Sequence, residues 1–480
     1  MDTASLQFVG YGLLAALISN FNRSVVWRGA VLLMASLIFI GLILGGNPWQ
    51  MLWPFVGFLA LGFVAIKLVE RGWRRSLVIG IVVIVASYLW LKKYTFIPSS
   101  WMLPGAYFTL GLSYIFFRIL SLLVTQAAQE SRSSIGPIKY LIYLLNFTTL
   151  LSGPIQSYEA FAEDQFAPHP LSLDAAIIGL QLERIIRGFF KVTVLAMILF
   201  AFQQDALRDV FSPTAPATVQ LKVFTLIVIY PFFIYANFSG YIDIVIGLAR
   251  LMRVVLPENF NRPFSSASYI EFWTRWHITL SQWLKAHVYN PLLIALMRRA
   301  SSLSLEPMIG VLCFFVTFFL VGLWHGRTSE FLVFGLLQGG GMAANKLWQI
   351  EMAKVMGRKA YRQLTAKPLY VIAARGLTFS FFALTLFWFW ADWLQIEAVE
   401  HAISAPQWLI MWLVVWAVSS FVLATWEWLR SALLTMRFEG APLFTGRYAR
   451  VVYGTVLGFA ALLVTVVLNQ PAPDVVYKAF

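Results

Sequence analysis

Long apolar runs follow one another along almost the whole chain, and they restrict what it can fold into. A helix needs about 20 residues to cross a hydrocarbon core of about 30 Å. Because a bilayer core offers no water to backbone N–H and C=O groups, each such run must satisfy its own backbone as a helix. The pattern predicts an all-α, polytopic membrane protein with about 11–13 transmembrane or re-entrant helices. The runs lie at residues 25–45, 50–69, 76–93, 103–125, 137–155, 175–204, 219–250, 305–324, 329–348, 369–391, 406–427 and 451–469.

The composition agrees with a membrane protein and argues against a nucleic-acid partner. Hydrophobic residues make up 60% of the chain and charged residues 12%, whereas soluble domains carry roughly 25% charged residues. The net charge of +14 comes from basic residues in short clusters between apolar runs, as the positive-inside effect predicts. The single cysteine, Cys313, lies within an apolar run. We therefore expect no disulfide framework, no metal site and no nucleic-acid partner.

The basic clusters also predict how the chain is oriented. Loops near residues 71–75, 346–375 and 430–450 are rich in Lys and Arg and are expected to be cytoplasmic, whereas residues 391–401 contain acids but no Lys or Arg and are expected outside. The N-terminus has no basic region like that of a cleaved signal peptide, so we interpret it as a first membrane segment. We see no linker or internal repeat, and we expect one membrane domain, residues 1–480.

Residues 269–287, YIEFWTRWHITLSQWLKAH, have the pattern of one amphipathic helix. At 100° per residue one face is aromatic, while the polar residues fall on the opposite side with His277 at the edge of their stripe. An interfacial helix with its tryptophans in the headgroup layer fits this pattern, and so does one wall of a reaction site. The aromatic face contains Tyr269, Phe272, Trp273, Trp276, Leu280 and Trp283, and the polar stripe contains Glu271, Thr274, His277, Ser281 and Lys285.

A second histidine, His325, lies between two apolar runs and is expected in the outer half of the bilayer. The segment with His277 precedes the basic pair Arg298 and Arg299, so the two imidazoles are expected to approach from opposite sides. An ionisable side chain at membrane depth is costly and indicates a functional site. A neutral imidazole can accept a proton, which suits a general base. The alternative is that each histidine only packs helices together.

Three other segments are unusually polar or broken for a membrane protein. PENFNRPF, residues 257–264, is too polar to span lipid and is expected to be a loop. NFSGYIDIVIG, residues 237–247, places Asp243 in an apolar run. LLSGPI, residues 150–155, predicts a helix break that ends a re-entrant element. Each of these is also compatible with a purely structural role.

Together these motifs resemble the membrane-bound O-acyltransferase family. The match is strongest over residues 105–350, with the C-terminal helices at 351–480 less similar, and it is closest to the bacterial branches of the alginate O-acetylation and teichoic-acid D-alanylation types. The motifs are GLSYIFFR (111–118), LLSGPI, NFSGYIDIVIGLARL, LPENFNRPF, EFWTRWHITLSQWL and GLWHG (322–326).

The resemblance implies a fold, a reaction and a set of site residues. The fold is a helix bundle around a thin central region, with a funnel that leads to the catalytic histidine. His325 matches the family's invariant histidine and would act as the base, while His277 matches the second site residue and would orient the donor or stabilise the oxyanion. The residues expected to line the tunnel are Asn259, Asn261, Trp276, Ser281, Trp324 and Asp243.

The implied activity is transfer of an acyl group from a cytoplasmic-side thioester to hydroxyls of an extracytoplasmic polysaccharide or envelope glycopolymer. Acetyl is the acyl group that the resemblance favours. The resemblance implies no bound cofactor. It implies acetyl-CoA or an acyl-carrier protein as co-substrate, contact with membrane lipid, and an extracellular glycan or an extracellular acyltransferase as partner. The expected location is a bacterial cytoplasmic membrane. Alternatives are D-alanyl transfer from a carrier protein to a teichoic-acid-like polymer and, in a different class, transport of lipid-linked sugars.

The sequence departs from the family pattern in two places. After the His277 segment the chain reads LKAHVYNPLL, with Lys285 and His287 where the polymer-modifying branches have an Arg-Asp-aromatic pattern. Near the C-terminus FWADW places Trp390 where Arg is usual. These departures bear on the choice of donor and acceptor more than on the reaction.

Overall fold

The structure, a computed structural model, describes residues 5–72, 75–128, 134–210, 216–300, 305–438, 441–467 and 473. Residues 73–74 of the first basic loop and 468–469 of the last apolar run lie outside this part. Among the described residues, eight helices are long and apolar enough to cross a membrane, and three shorter apolar helices accompany them. The only strands in the described chain form one antiparallel pair, β1 (Arg437–Phe438) and β2 (Ala441–Pro442). The prediction of an all-α, multi-pass membrane protein is confirmed.

The chain divides into two compact units. Unit 1 comprises Met1–Thr193, Asn237–Glu258 and Ala461–Phe480, and unit 2 comprises Val194–Ala236 and Asn259–Ala460. The helices that lie wholly in unit 1 are α1 (Leu6–Ser19), α2 (Val25–Leu44), α3 (Trp53–Glu70), α4 (Ser76–Leu91), α5 (Leu112–Ala128), α6 (Pro137–Leu145), α7 (Tyr158–Gln165) and α8 (Ala175–Phe190).

The remaining helices belong mainly to unit 2, although the long α10 supplies residues to both units. They are α9 (Met197–Val210), α10 (Pro216–Leu251), α11 (Tyr269–Trp273), α12 (Ile278–Leu284), α13 (Asn290–Met297), α14 (Glu306–His325), α15 (Ser329–Met356), α16 (Arg358–Thr365), α17 (Pro368–Thr385), α18 (Phe387–Trp390), α19 (Trp393–Ala402), α20 (Ala405–Thr435) and α21 (Arg447–Leu462). Single π-helical turns occupy Lys191–Ala196, Lys285–Tyr289 and Leu463–Val467, and 3-10 turns occupy Trp49–Leu52, Ser99–Trp101 and Pro263–Ser265.

In unit 1, the apolar run 137–155 does not form the single helix that its length predicts. Helix α6 ends at Leu145, before LLSGPI, and the chain continues as a buried irregular segment. Buried Arg118 of α5 explains how a segment without helical hydrogen bonds is tolerated, because its guanidinium donates to the carbonyl oxygens of Leu144, at 2.8 Å, and Thr149. Gly111, the first residue of the GLSYIFFR motif, lies against LLSGPI, because a Cβ on it would lie 2.6 Å from the carbonyl oxygen of Leu150. The motifs GLSYIFFR and LLSGPI therefore pack against each other.

Asp243, on α10, forms the centre of an ion cluster in unit 1. Its carboxylate accepts from Arg184 Nε at 2.9 Å and from Lys191 Nζ at 2.8 Å, and Arg187 Nε lies 3.6 Å away. Arg184 also binds both carboxylate oxygens of Glu258 at 2.6 Å. The cluster pairs charges that would otherwise be costly at membrane depth. It therefore accounts for Asp243 and its three cationic partners within the apolar runs 175–204 and 219–250.

In unit 2, α14 and α15 pack together through glycines. A Cβ on Gly335 of α15 would lie 2.6 Å from the carbonyl oxygen of Phe319 in α14, and one on Gly322 would lie 2.2 Å from Gly335 Cα. These distances are shorter than any ordinary contact, so glycine is required for the two backbones to approach. Helix α14 ends at His325, and this packing therefore fixes where that histidine lies relative to α15.

Replacing Gly335 with Ala should lower the thermal unfolding midpoint of the detergent-solubilised protein, since overpacking costs about 1–3 kcal/mol. The matched control is Gly340→Ala in the same helix, where a Cβ meets nothing within 4 Å and the gain in helix propensity is about 1 kcal/mol. Equal midpoints for the two variants would contradict the close-packing assignment.

Replacing Asp243 with Asn should destabilise the protein by about 3–5 kcal/mol, because removal of one partner leaves buried charge uncompensated. The control is Asp205→Asn. Asp205 pairs with Lys222 at 3.2 Å, but its side chain is 65% exposed, so the expected cost is about 0–1 kcal/mol. Thermal unfolding of both variants in one detergent measures the difference, and an Asp243→Asn midpoint as high as that of Asp205→Asn would refute the structural role.

Candidate active site

The two histidines singled out by the sequence both belong to unit 2 and meet at one tryptophan. His277 is 1% exposed and His325 is 2% exposed. The ring of Trp324 lies 4.6 Å from that of His325 and 6.3 Å from that of His277, measured between centroids. The two imidazoles are near enough to interact electrostatically. The expected pairing of His277 with His325 is therefore present in the structure, with Trp324 in contact with both.

His277 does not lie within a continuous helix, so the prediction of one amphipathic helix over residues 269–287 is wrong. Helix α11 ends at Trp273 and α12 begins at Ile278, with a π-helical turn from Lys285. His277 itself has φ +44° and ψ +53°. This left-handed conformation is strained for a residue with a Cβ and persists only where the surroundings hold it.

The helix breaks because the loop that precedes it bonds to its backbone. Asn261 N–H donates to the carbonyl of Arg275 at 2.9 Å, and Ile278 N–H donates to the carbonyl of Asn259 at 3.0 Å, so Phe260 and Trp276 form an antiparallel bridge. These bonds replace the helical ones and hold the chain on either side of His277. The hydrophobic periodicity of residues 269–287 cannot predict these hydrogen bonds, because their partners, Asn259 and Asn261, lie in a different segment.

Asn259 is the polar residue in contact with His277. It is fully buried, and its Oδ1 lies 3.3 Å from His277 Nδ1. The same oxygen accepts from Thr279, from the backbone N–H at 3.1 Å and from Oγ1 at 2.9 Å. The side chain of Asn261, in contrast, is exposed. Of the two asparagines expected at the tunnel, only Asn259 contacts a site histidine.

His325 lies in an aromatic enclosure. The rings of Phe389 and Phe334 lie 5.1 Å and 5.7 Å from its own, and Trp324 lies against another side. Phe389 belongs to FWADW, so this divergent motif contacts the site through its phenylalanine. Asp392 of the same motif instead caps helix α19. Sequence reasoning missed Phe334 and Phe389, since the chain has 41 Phe residues and their pattern does not single these two out.

Burial lowers the pKa of His277 well below its ordinary value, and a backbone hydrogen bond offsets this only in part. The ring therefore stays neutral at pH 7, with one N–H donor and one nitrogen acceptor. A neutral, water-excluded imidazole can accept or orient a proton, which a fixed charge cannot do.

A cavity of about 310 Å³ is lined by residues on both sides of His277 in sequence. Thr274, Ser281 and Lys285 of the predicted polar stripe line it together with apolar side chains that include Trp273, Phe314 and Phe318. The Ser281 Oγ is buried without a hydrogen-bond partner. The cavity thus combines an apolar wall with a few polar groups, as small-molecule sites do.

Trp276 and Asp243, also expected at the tunnel, lie in other surroundings. Trp276 is 1% exposed and packs on Phe260, Phe272 and Phe382, so the interpretation of an interfacial helix with tryptophans in the headgroups is wrong. Asp243 belongs to the ion cluster of unit 1. Among the described residues no group of three or more His, Cys, Asp or Glu side chains could hold a metal ion.

Comparison with known proteins points to one family. The model of the MBOAT, membrane-bound O-acyltransferase family, matches residues 72–374. A probable alginate O-acetylase of Pseudomonas fluorescens is 28% identical over 342 residues, 67% of this chain and 61% of the relative. A teichoic acid D-alanyltransferase of Bacillus subtilis is 25% identical over 275 residues, 57% of this chain and 66% of the relative.

A peptidoglycan O-acetyltransferase of Helicobacter pylori is also similar, with 28% identity over 211 residues, 44% of this chain and 38% of the relative. The chain thus spans less than two thirds of the length of each of these relatives. The family match nevertheless covers more than half of the chain and includes both histidines, the PENFN loop and the cavity. The resemblance noted in the sequence is confirmed, and the chain belongs to the membrane-bound O-acyltransferase family.

Proposed function

We propose that this protein is an O-acyltransferase of a bacterial cytoplasmic membrane. It moves an acyl group from a cytoplasmic-side thioester to hydroxyls of an extracytoplasmic polysaccharide or envelope glycopolymer, and acetyl is the favoured group. The observation that carries the proposal is the pair of buried histidines in contact with Trp324, in a chain of this family. Transport of lipid-linked sugars would not require two buried imidazoles in contact with one tryptophan.

The reaction follows from the chemistry of a neutral imidazole. His325 takes the proton of the acceptor hydroxyl, while the hydroxyl oxygen forms a bond to the thioester carbonyl carbon. The tetrahedral intermediate then breaks its C–S bond, and the thiolate leaves with the proton that His325 returns. The products are the ester and the free thiol, and the enzyme is unchanged. The aromatic rings around His325 exclude water, which would otherwise compete as acyl acceptor.

The cavity lined by Thr274, Ser281 and Lys285 supports a thioester donor on an extended arm. Apolar walls suit the alkyl part of such an arm, while Thr274 and Ser281 offer hydroxyls to its amides. Lys285, exposed on the lining, can pair with the phosphate that acetyl-CoA and an acyl-carrier protein both carry at the base of the arm. Either donor is therefore a co-substrate, and neither is a bound cofactor.

Acetyl transfer is preferred to D-alanyl transfer by the share of this chain that each relative matches. The alginate O-acetylase of Pseudomonas fluorescens is similar over 67% of this chain, and the D-alanyltransferase of Bacillus subtilis over 57%. The acceptor is an extracellular glycan, reached directly or through an extracellular acyltransferase partner. Mass spectrometry of envelope glycans from cells with and without the gene distinguishes the two groups, because acetyl and D-alanyl esters differ in mass.

The change His325→Ala should reduce acyl transfer by about 10²–10⁴-fold, the usual contribution of a general base. The measurement is transfer of labelled acyl groups from a thioester to glycan hydroxyls by purified protein in detergent. His401→Ala, at an exposed position in α19, is the matched control and should keep full activity. Full activity of a folded His325→Ala enzyme would remove His325 as the base.

The change Lys285→Gln should raise KM for the thioester about tenfold with little change in kcat, because a lost charge-assisted hydrogen bond weakens ground and transition states alike. Lys354→Gln is the control, since the Lys354 side chain is 75% exposed and lies outside the cavity lining. Initial rates against donor concentration measure both constants. An unchanged KM in Lys285→Gln would place the donor phosphate elsewhere.

A further inference from the structure

We infer that Asn259 fixes His277 in the tautomer that carries its proton on Nδ1, which leaves Nε2 able to act only as a hydrogen-bond acceptor. This inference rests on the proposed acyl transfer and decides between the two roles open to His277. Asn259 is thereby a positioning residue, which acts through the histidine.

The orientation of the Asn259 amide is determined by its partners. An amide oxygen and nitrogen are easily exchanged in a structure, and only the hydrogen-bond network assigns them. The backbone N–H of Thr279 is solely a donor, and it lies 3.1 Å from Asn259 Oδ1. The atom at this position must be an acceptor, so it is the oxygen. The hydroxyl of Thr279 donates to it as well, at 2.9 Å.

The same oxygen then determines the tautomer of His277. Oδ1 has no hydrogen to offer, so a hydrogen bond over the 3.3 Å to His277 Nδ1 requires the proton on Nδ1. A neutral imidazole carries one N–H only, and Nε2 is left with a lone pair. Backbone bonds on both sides of His277 keep the ring in place, since Ile278 N–H donates to the Asn259 carbonyl at 3.0 Å and Asn261 N–H donates to the Arg275 carbonyl at 2.9 Å.

This tautomer excludes one of the two roles. An oxyanion needs a donor, and the only N–H of the neutral ring already faces acceptor oxygens of the protein, Asn259 Oδ1 among them. Burial lowers the pKa of His277, so the doubly protonated ring that would donate through Nε2 is not available at neutral pH. Nε2 is therefore suited to a substrate group that brings its own hydrogen, either the acceptor hydroxyl or an amide N–H of the donor arm. His277 orients this group, and the oxyanion is stabilised by other donors.

The test is the ¹⁵N spectrum of the full-length protein in detergent, with ¹⁵N-labelled imidazoles. Protonated and unprotonated ring nitrogens have well-separated chemical shifts. The chain has five histidines, and the signals of His277 are identified as those that disappear in His277→Gln. At neutral pH we expect a protonated Nδ1 and an unprotonated Nε2 at His277. A protonated Nε2 would overturn the inference. The spectrum does not depend on turnover, so it stands even if the proposed reaction is wrong.

Variants then separate positioning from folding. Asn259→Asp keeps an acceptor oxygen and should keep the Nδ1–H tautomer. Asn259→Leu removes the acceptor, and the His277 population should shift toward Nε2–H. Thr279→Val removes only the hydroxyl bond to Asn259 and should leave the tautomer unchanged. A tautomer that is the same in folded Asn259→Leu and wild type would overturn the assignment. If Asn259→Leu does not fold, the wild-type and Asn259→Asp spectra decide it.

Activity supplies a second readout. Asn259→Leu should lose acyl transfer by about tenfold, since the Nε2–H tautomer no longer offers the acceptor that orients the substrate group, and the loss should fall on kcat. Asn259→Asp should recover part of it. Wild-type transfer with no loss in Asn259→Leu would refute the positioning role while leaving the proposed function intact. No acyl transfer by the wild type with any thioester would refute the function and leave the tautomer result standing.

Discussion

A polar group inside a bilayer has no water to bond to, and two irregular segments of this protein show how the chain meets that constraint. The chain leaves helical geometry after Leu145 where Arg118 donates to the carbonyls nearby. It does so again between Trp273 and Ile278, where residues 259–261 take up backbone groups that a helix would otherwise satisfy. Both breaks coincide with motifs of the family. In each case a second segment of chain provides the hydrogen bonds that allow a non-helical site.

The same loop segment, residues 259–261, contacts both the backbone and the ring of His277. Its left-handed backbone costs of order 1–3 kcal/mol, and the two backbone bonds to the 259–261 segment hold it in that conformation. A single atom, Asn259 Oδ1, both accepts from the Thr279 N–H and contacts the imidazole of His277. A substitution there removes a buried acceptor and a ring partner at once, so its effects on folding and on transfer are separable only by a probe of the imidazole itself.

How much the sequence predicts depends on the range of the interaction. Apolar run length predicts most of the helices, and depth in the membrane singles out His277 and His325, because both signals are local. The break before Ile278 is invisible to periodicity, since its cause is the segment around Asn259. The sequence singles out Asp243 as an acid in an apolar run, but it does not show that three cations from another stretch of chain surround this residue. The enclosure of His325 by Phe334 and Phe389 likewise depends on tertiary packing.

The rings of His277 and His325 both contact Trp324, and their proximity limits how many protons the two imidazoles can hold. Charge at membrane depth is costly, and two cations near enough to interact repel each other, so the pair is expected to hold at most one extra proton at a time. In the proposed reaction, His277 therefore remains neutral when His325 takes the acceptor's proton, and its Nδ1–H bond to Asn259 is preserved. The proton would leave with the thiol, which would restore a neutral pair before the next acceptor enters. Under this proposal one histidine moves protons, while the other keeps a fixed protonation state and orients the substrate.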